Sequence, residues 1–375
     1  MAGALNNIKV LEFGQYIAGP LLGMFLADQG ADVIKIERPP WGDPMRKYPG
    51  FQVWNRGKRS AMLDLKNGND LETARKLAQE ADIVIENFRP GVMERLGLGY
   101  ESLIVNNPKL IYVAMPGFGA ASPYRHIRGW ETLVGASTAT YSGLNAPETG
   151  GPVYTILPIS SIYAAFLSSS AVAAALFYRM RYGEGQRIET PLHNATFLAA
   201  GYYLVKVPGK GPAQFEKGGH GGPQPAIRTA GIFKCQDGRF ISAVGLAEFL
   251  PRLLQAFGHP EHREIIQTLI SNRERTQEAQ DWNKWIETQF TTKTASEWEK
   301  ILGSFGVPMS KTRTIDEWIA DPHAIDSGAV VSIEDPIYGL MKQVGIQVRL
   351  SGTPGLITGP APKLGEHTQS IVESV

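Results

Sequence analysis

Short apolar runs alternate with amphipathic stretches along the first half of the chain. Between the runs, apolar positions recur at helical spacing, as in Leu71, Ala74, Leu77 and Ala78. The predicted strands lie at 8–13, 31–37, 62–65, 82–88 and 110–115, and helices are predicted at 19–30 and 70–80 and from Pro90 onward. Strand, helix and strand in this order indicate an α/β fold with a Rossmann-like parallel sheet.

Residues 152–190 predict a turn, a buried helix, a tight turn and a strand. Ser160 or Ser161 is suited to cap the helix by accepting from free backbone N–H groups. Small residues fill its body and leave room for other backbones, while Gly183 and Gly185 are suited to end it. The apolar segment 162–178 is shorter than the roughly 20 residues of a membrane span, which favours a buried helix of a soluble protein.

The composition changes after residue 205, which predicts a second, smaller domain. We predict a large domain at 1–205, a linker with a glycine loop at 206–225, a small α+β domain at 226–334 and a C-terminal return at 335–375. In the small domain, Asp237-Gly238 predicts a hairpin turn, and amphipathic patterns predict helices near 249–257, 282–290 and 295–302.

Charge and cysteine content narrow the classes of function. The chain of 375 residues carries 37 basic and 36 acidic residues, a balance that argues against nucleic acid or a membrane surface as partner. Cys235 is the only cysteine, which excludes an intrachain disulfide or a thiolate metal cluster within one chain. We expect no metal and a reducing, cytoplasmic location. The loop 14–20 lacks the GxGxxG spacing of a dinucleotide site.

Several motifs occur in the order typical of one enzyme family. They are Leu26–Arg38, Asn55–Ser60, Leu63–Lys66, Glu86–Gly91, Met93–Gly99, Gly183–Gln186, Asp321–His323 and Leu364–Thr368. Together they resemble the class III CoA-transferases, the CaiB/BaiF family, over nearly the whole chain. The resemblance implies a Rossmann-like large domain, a smaller domain, and two chains interlocked as rings in a dimer.

The resemblance also implies a site for coenzyme A, the substrate carrier. Its ligands, carried over by position, would be Ala18, Arg38, Leu65, Lys66, Asn87, Phe88 and Arg95. Arginine and lysine suit the phosphates, and the Phe88 ring could stack on adenine. Ile17 departs from relatives that place a glutamine beside the thioester.

Two further segments resemble substrate loops of the family. The first contains Arg128, Trp130 and Glu131, and the second contains Gly219, Gly221, Gly222 and Gln224. The racemase branch has a histidine where this chain has Trp130, and a racemase needs an acid and a base on either side of the α-carbon. The glycine loop instead resembles that of formyl-CoA and related transferases.

The resemblance places the family's nucleophilic aspartate at Ser161, counted back from Gln186. In the family reaction this carboxylate forms a mixed anhydride and then an enzyme–CoA thioester, which a hydroxyl cannot form. No Asp or Glu lies between Glu148 and Glu184, so no carboxylate is expected near Ser161. A serine nucleophile would need a base, for which His193 and His220 are the candidates.

Three hypotheses follow. In the first, the chain is the non-catalytic subunit of a heterodimer or heterotetramer with an aspartate-bearing paralogue, as in enzymes that resemble benzylsuccinate CoA-transferases. That enzyme would move CoA between carboxylic acids, with succinyl-CoA as donor and an aromatic or dicarboxylic acid as acceptor. In the second, it is a homodimeric acyl-CoA hydrolase or lyase. In the third, it binds CoA thioesters without turnover.

Overall fold

The chain folds into two compact units, each with its own core. The computed structural model describes residues 3–141, 154–199, 231–243, 249–264 and 276–375, together with Pro208, Ile227 and Leu269. The first unit contains Met1–Val205 and Pro322–Val375, and the second contains Lys206–Asp321. The second unit therefore ends at Asp321 and not at 334. The reason is that residues 330–335 form a strand that pairs with the C-terminal segment.

A six-stranded parallel sheet forms the centre of the first unit. Its order is β3-β2-β1-β4-β5-β6, that of a doubly wound α/β fold. Strand β3 begins three residues earlier than predicted, at Arg59, because Ile34 to Glu37 pair with Arg59 to Met62. The strands are β1 (Lys9–Glu12), β2 (Asp32–Glu37), β3 (Arg59–Met62), β4 (Ile83–Glu86), β5 (Ile111–Ala114) and β6 (Gln186–Glu189).

Helices cover the sheet, and the chain returns to it at the C-terminus. The helices of the first unit are α1 (Ala18–Asp28), α2 (Gly50–Trp54), α3 (Gly68–Glu80), α4 (Val92–Arg95), α5 (Tyr100–Leu103), α6 (Glu131–Ser137), α7 (Ile159–Tyr182) and α8 (Leu192–Ala199). Those of the second unit are α9 (Leu250–Phe257), α10 (Gln277–Phe290), α11 (Ala295–Ser304) and α12 (Ile315–Ile319). The first unit is completed by α13 (Pro322–Asp326) and α14 (Thr368–Val372) and by the antiparallel pair β10 (Val330–Asp335) and β11 (Gly339–Val344).

In the described part of the second unit, four helices pack beside a small antiparallel sheet. The sheet has the order β7 (Gly231–Lys234), β8 (Phe240–Ala243) and β9 (Met309–Lys311). The hairpin predicted at Asp237-Gly238 is confirmed by the antiparallel pairing of β7 with β8. The helices predicted near 249–257, 282–290 and 295–302 correspond to α9, α10 and α11.

Helix α7 contains the apolar segment 162–178, ends before Gly183 as predicted, and packs inside the first unit. By length and composition alone it could cross a membrane, a property that buried helices of soluble proteins share. Its face with Ala164, Ala165 and Ser168 is fully buried and contacts α1. Gly183 ends the helix in the left-handed conformation at φ 79°. Because the buried face consists of small residues, α1 can approach it closely.

A buried cluster of charges lies beneath the loops that follow β1 and β2. Lys35 Nζ lies 2.8 Å from Glu12 Oε1 and 3.0 Å from Asp43 Oδ2, and it donates to the carbonyl of Gly14 at 2.7 Å. Lys58 Nζ donates to Glu12 Oε2 at 2.7 Å. Burial alone would raise the pKa of Glu12, but the two ammonium groups outweigh burial and lower it. Glu12 is therefore ionised at neutral pH and joins three elements.

We predict that Glu12→Gln lowers the free energy of unfolding by about 3–5 kcal/mol, because it removes the carboxylate paired with buried Lys58 and one of the two paired with buried Lys35. Urea denaturation at pH 7 measures the loss. The lowered pKa means that Glu12 stabilises the fold above its ordinary pKa and loses this effect as the pH falls through the folded value. The difference between variant and wild type should therefore shrink in acid.

The matched control is Glu80→Gln, which removes the carboxylate of an exposed pair with Lys9 at 3.2 Å. Exposed pairs contribute at most about 1 kcal/mol, so this variant should be nearly as stable as the wild type. Equal stabilities of the Glu12 and Glu80 variants would contradict the role assigned to the buried cluster.

Candidate active site

The strand order reverses between β1 and β4, and the loops after these two strands are tied together. The backbone N–H of Gln15 donates to Asn87 Oδ1 at 2.9 Å, and Asn87 Nδ2 donates back to the Gln15 carbonyl at 2.7 Å. In open α/β sheets, ligands bind outside the carboxyl ends of the strands at such a reversal. This edge is therefore the candidate site.

The residues predicted to contact CoA lie mostly along the same edge of the sheet. Arg38 and Lys66 are exposed cations beyond the carboxyl ends of β2 and β3, and Arg95 is an exposed cation at the end of α4. The full set is Ala18 at the start of α1, Arg38 after β2, Leu65 and Lys66 after β3, Asn87 and Phe88 after β4, and Arg95. Their contact with CoA stays a prediction. It is supported by their location along one edge of the sheet.

The loop after β1 is held in a conformation that few residues adopt. Tyr16 has a φ of 64°, in the left-handed region that disfavours residues with a side chain. Its backbone N–H donates to Asp43 Oδ1 at 3.1 Å, and Asp43 belongs to the buried charge cluster. The Tyr16 ring meets the edge of Trp130 at 5.1 Å between centroids. The charge cluster thus fixes a loop that reaches the segment around Trp130.

A close backbone contact folds the segment after β5 back on itself. A Cβ atom on Gly117 would lie only 2.2 Å from the Cα of Gly129, so neither position accepts a larger residue without a shift. The next residues, Trp130 and Glu131, begin helix α6. The two glycines therefore permit the fold that delivers Glu131 to the start of α7.

Glu131 supplies a carboxylate at the position of Ser161. Its Oε1 accepts from the backbone N–H of Ser160 at 2.6 Å. Its Oε2 accepts from the Ser161 N–H at 3.2 Å and from the Ser161 hydroxyl at 2.7 Å. The expectation that no carboxylate lies near Ser161 was wrong, because it considered only neighbours in sequence.

The same contacts correct the predicted helix cap. The N-cap position of α7 is Pro158, and neither Ser160 nor Ser161 makes a side-chain cap. Both serines lie inside the first turn and are buried. The Glu131 carboxylate takes the N–H groups that the helix start leaves free, a stabilising position for an anion.

Other predicted residues are placed apart from Ser161 or lie outside the description. The His193 ring lies 5.5 Å from that of Phe118, and no contact with Ser161 is found among the described residues. Arg128 is exposed in the loop before Trp130. The glycine loop with Gly219, Gly221, Gly222 and Gln224, together with His220, lies outside the described residues.

Comparison with known proteins identifies the family. A sequence model of CoA-transferase family III matches residues 5–368. The chain belongs to this family. It is 30% identical to a succinyl-CoA–D-citramalate CoA-transferase of Chloroflexus aurantiacus, covering 98% of this chain and 92% of that protein. It is 32% identical to a succinate–glutarate CoA-transferase of Agrobacterium fabrum, covering 98% and 94%.

A solved structure supports the same assignment. The crystal structure of a CaiB/BaiF family protein from Brucella suis superposes with a TM-score of 0.84 at 27% identity and covers both chains completely. The predicted family and α/β fold are therefore confirmed. CoA-transferase family III enzymes use CoA thioesters as substrates, which agrees with a ligand edge that presents exposed cations.

Glu131 is the functional residue whose contact the sequence analysis missed. Its position in a substrate loop was predicted, but its pairing with Ser161 joins residues 30 apart in sequence. The sequence did point to Glu131, because it is the acidic residue of the predicted substrate loop that contains Arg128 and Trp130. Chemically, the arrangement offers a carboxylate that can accept the Ser161 proton, at 2.7 Å from the hydroxyl oxygen.

A second carboxyl group is buried directly behind the predicted CoA edge. Glu86 ends β4, and its Oε2 accepts from the backbone N–H of Phe88 at 2.7 Å. Burial raises the pKa of Glu86 to about 8, although the Phe88 N–H opposes the shift; Glu94 and Glu189 add to it. The group is therefore largely protonated at neutral pH, and its ionisation opposes folding.

We predict that Glu86→Gln is more stable than the wild type in alkaline solution. The raised pKa means that the wild-type group stabilises the fold fully below its ordinary pKa and loses this effect as the pH rises through about 8. Glutamine keeps an acceptor for Phe88 and cannot ionise. Urea denaturation at pH 5.5, 7 and 9, values chosen to span this window, should show a gap that grows with pH and then levels off. Exposed Glu101→Gln is the control, and a gap independent of pH would contradict the prediction.

Proposed function

We propose that this chain is the non-catalytic subunit of a heteromeric CoA-transferase of family III. The observation that carries the proposal is Ser161, at the position where the family resemblance places the nucleophilic aspartate. A serine hydroxyl offers no acyl group, so it cannot pass through the anhydride and enzyme–CoA thioester of the family reaction. An aspartate-bearing paralogue would supply that group.

The contacts of Glu131 support this role. Its two oxygens accept three hydrogen bonds from the first turn of α7, at 2.6, 3.2 and 2.7 Å. Each of these hydrogen bonds occupies an oxygen lone pair that a nucleophile would need to form a new bond. Glu131 therefore stabilises the start of α7, and we infer that it does not act as the nucleophile in place of the aspartate.

Exposed apolar side chains support an intimate assembly. On α7, the exposed fractions of Phe166, Phe177 and Met180 are 51%, 51% and 76%. Near the C-terminus, those of Leu340 and Leu356 are 66% and 65%. Apolar surface of this extent is typical of protein interfaces. A heterodimer of interlocked rings, or a tetramer of two such pairs, would cover it.

The substrate class follows the relatives that are named for succinyl-CoA or succinate. We infer that the assembly transfers CoA from succinyl-CoA to a second carboxylic acid, either a dicarboxylic acid or an aromatic acid. Glutarate and citramalate appear in the names of the relatives at 32% and 30% identity. A reducing cytoplasm, where such thioesters are made and consumed, is the proposed location.

A second candidate function rests on the pair of Ser161 and Glu131. A nucleophile and a base within 2.6–3.2 Å are the signature of an activated hydroxyl, and the oxygens here are 2.7 Å apart. In this alternative, Ser161 would be acylated by the thioester, CoA would leave as the thiol, and water would hydrolyse the ester. The backbone N–H groups of Ser160 and Ser161 are already bound to Glu131, so they are not free to stabilise an oxyanion.

We predict that the isolated chain does not transfer CoA from succinyl-CoA to dicarboxylic or aromatic acids, whereas co-expression with an aspartate-bearing paralogue gives an active complex. Native mass spectrometry should show mixed oligomers of the two chains. In the complex, Ser161→Ala should leave the transfer rate nearly unchanged. Ser161→Asp in the isolated chain should produce an enzyme–CoA thioester, from which hydroxylamine releases CoA.

The alternatives give different outcomes. Transfer by the isolated wild-type chain, or exclusive homodimers after co-expression, would contradict the subunit role. Release of CoA thiol by the isolated chain that is lost in both Ser161→Ala and Glu131→Gln would instead establish the hydrolase. Glu94→Gln, which changes an exposed carboxylate of α4, is the matched control.

We also predict that the isolated chain binds CoA and that Arg38→Ala weakens binding by about 1–3 kcal/mol, the loss of a charge-assisted hydrogen bond to phosphate. Isothermal titration calorimetry measures the affinity. Lys109→Ala is the control, because Lys109 is an exposed cation at the amino-terminal edge of the same sheet. Equal effects of the two substitutions would place the CoA phosphates elsewhere.

A further inference from the structure

A turn at the end of α9 brings two histidines and a glutamate together in the second unit. Helix α9 ends at Phe257, and Gly258 follows in the left-handed conformation at φ 83°. The His259 N–H then donates to the Leu254 carbonyl at 2.9 Å, and residues 260–262 form a single 3-10 turn. This backbone directs His259, Glu261 and His262 to one place.

The ligand atoms of these three side chains all lie within 4.8 Å of one another. His259 Nδ1 and Glu261 Oε1 are 3.0 Å apart. In a tetrahedral site with metal–ligand bonds of about 2.0–2.2 Å, the ligand atoms lie roughly 3.4 Å apart. The His259–Glu261 pair, now joined by a hydrogen bond, is close to that separation, and the other pairs lie within 4.8 Å.

Indole rings support both imidazoles. The centroid of Trp285 lies 4.8 Å from that of His262 and 5.5 Å from that of His259, in edge-to-face contacts. Trp282 packs on Trp285 at 4.8 Å. Both histidines are half-buried, so packing restricts the movement of their imidazole rings. Glu261 is exposed, so one side of the cluster is open to solvent.

The chemistry of the three groups matches that of borderline metal ions. Two imidazoles and one carboxylate are ligands that Zn²⁺ and its neighbours in the first transition row accept. Water from the exposed side can occupy the fourth position.

We propose that His259, Glu261 and His262 form a binding site for a divalent transition-metal ion of the Zn²⁺ class. The site closes the turn after α9 and is independent of the proposed subunit role, since none of its residues belongs to the CoA edge. It has three protein ligands and an open position, and it departs from the metal-free protein that the sequence suggested.

The test uses the full chain without an affinity tag, after treatment with EDTA and desalting. Titration with Zn²⁺ in a calorimeter should show one site per chain, and His262→Ala and Glu261→Gln should each weaken it at least tenfold. His126→Ala and Glu278→Gln, which lie outside the cluster, should bind as the wild type does. Far-UV circular dichroism confirms that each variant is folded.

A second readout uses the indole next to the site. Cu²⁺ bound at the cluster should quench the fluorescence of Trp285, so Trp285→Phe should reduce the quenched fraction without removing Zn²⁺ binding. The proposal is overturned if the wild type takes up no Zn²⁺, or if the His262 and Glu261 variants bind as the wild type does. It is also overturned if Cu²⁺ quenches the Trp285→Phe variant to the same extent as the wild type.

Discussion

The buried contacts of Glu12 with Lys35 and Lys58 are the constraint on which the candidate site depends. These contacts join β1 to β2 and to the turn before β3. Lys35 also forms an ion pair with Asp43. Asp43 in turn holds the backbone of Tyr16, whose left-handed conformation would otherwise relax. Gly23 is required nearby, because a Cβ atom there would lie 2.0 Å from Glu12 Oε2. The buried charges of Glu12, Lys35 and Lys58, whose desolvation costs free energy, thus determine the conformation of the loops at the carboxyl edge of the sheet.

The start of helix α7 accommodates Ser161 without losing its hydrogen bonds. The start of any helix presents N–H groups that need acceptors and favours negative charge. In this chain Glu131 provides both from α6, so the residue at 161 can be a serine without leaving these groups unpaired. The hydroxyl of Ser161 adds a third bond to the same carboxylate. A serine at position 161 is therefore compatible with a fully hydrogen-bonded helix start.

The sequence predicted the periodic parts of the fold well and the long-range contacts poorly. Strands β1, β2, β4 and β5 and helices α1 and α3 follow from local apolar patterns, which backbone hydrogen bonding preserves. The start of β3 was misplaced because its extent is set by pairing with β2, and Ser60 and Arg59 do not look like strand residues in isolation. The contact of Glu131 with Ser161 depends on tertiary placement, and the cluster at 259–262 depends on the left-handed turn at Gly258, so neither was predicted. The predicted CoA residues share an edge because strand ends of a parallel sheet coincide.

The two carboxyl groups near the candidate site, Glu131 and Glu86, differ in burial and in hydrogen bonding. Glu131 is half-buried and satisfied by three donors, whereas Glu86 is buried, accepts one N–H and has a pKa raised to about 8. Neither is arranged as a free, ionised nucleophile facing a thioester. Glu131 is hydrogen-bonded to the start of α7, and Glu86 is hydrogen-bonded to the backbone of Phe88. A carboxylate that attacks a carbonyl must be charged and must have an oxygen free to form the new bond. Among the described residues around Ser161, the oxygens of the Glu131 carboxylate are hydrogen-bonded to the start of α7 and so stabilise the fold. The described contacts of Glu131 and Glu86 thus serve the backbone at the start of α7 and after β4.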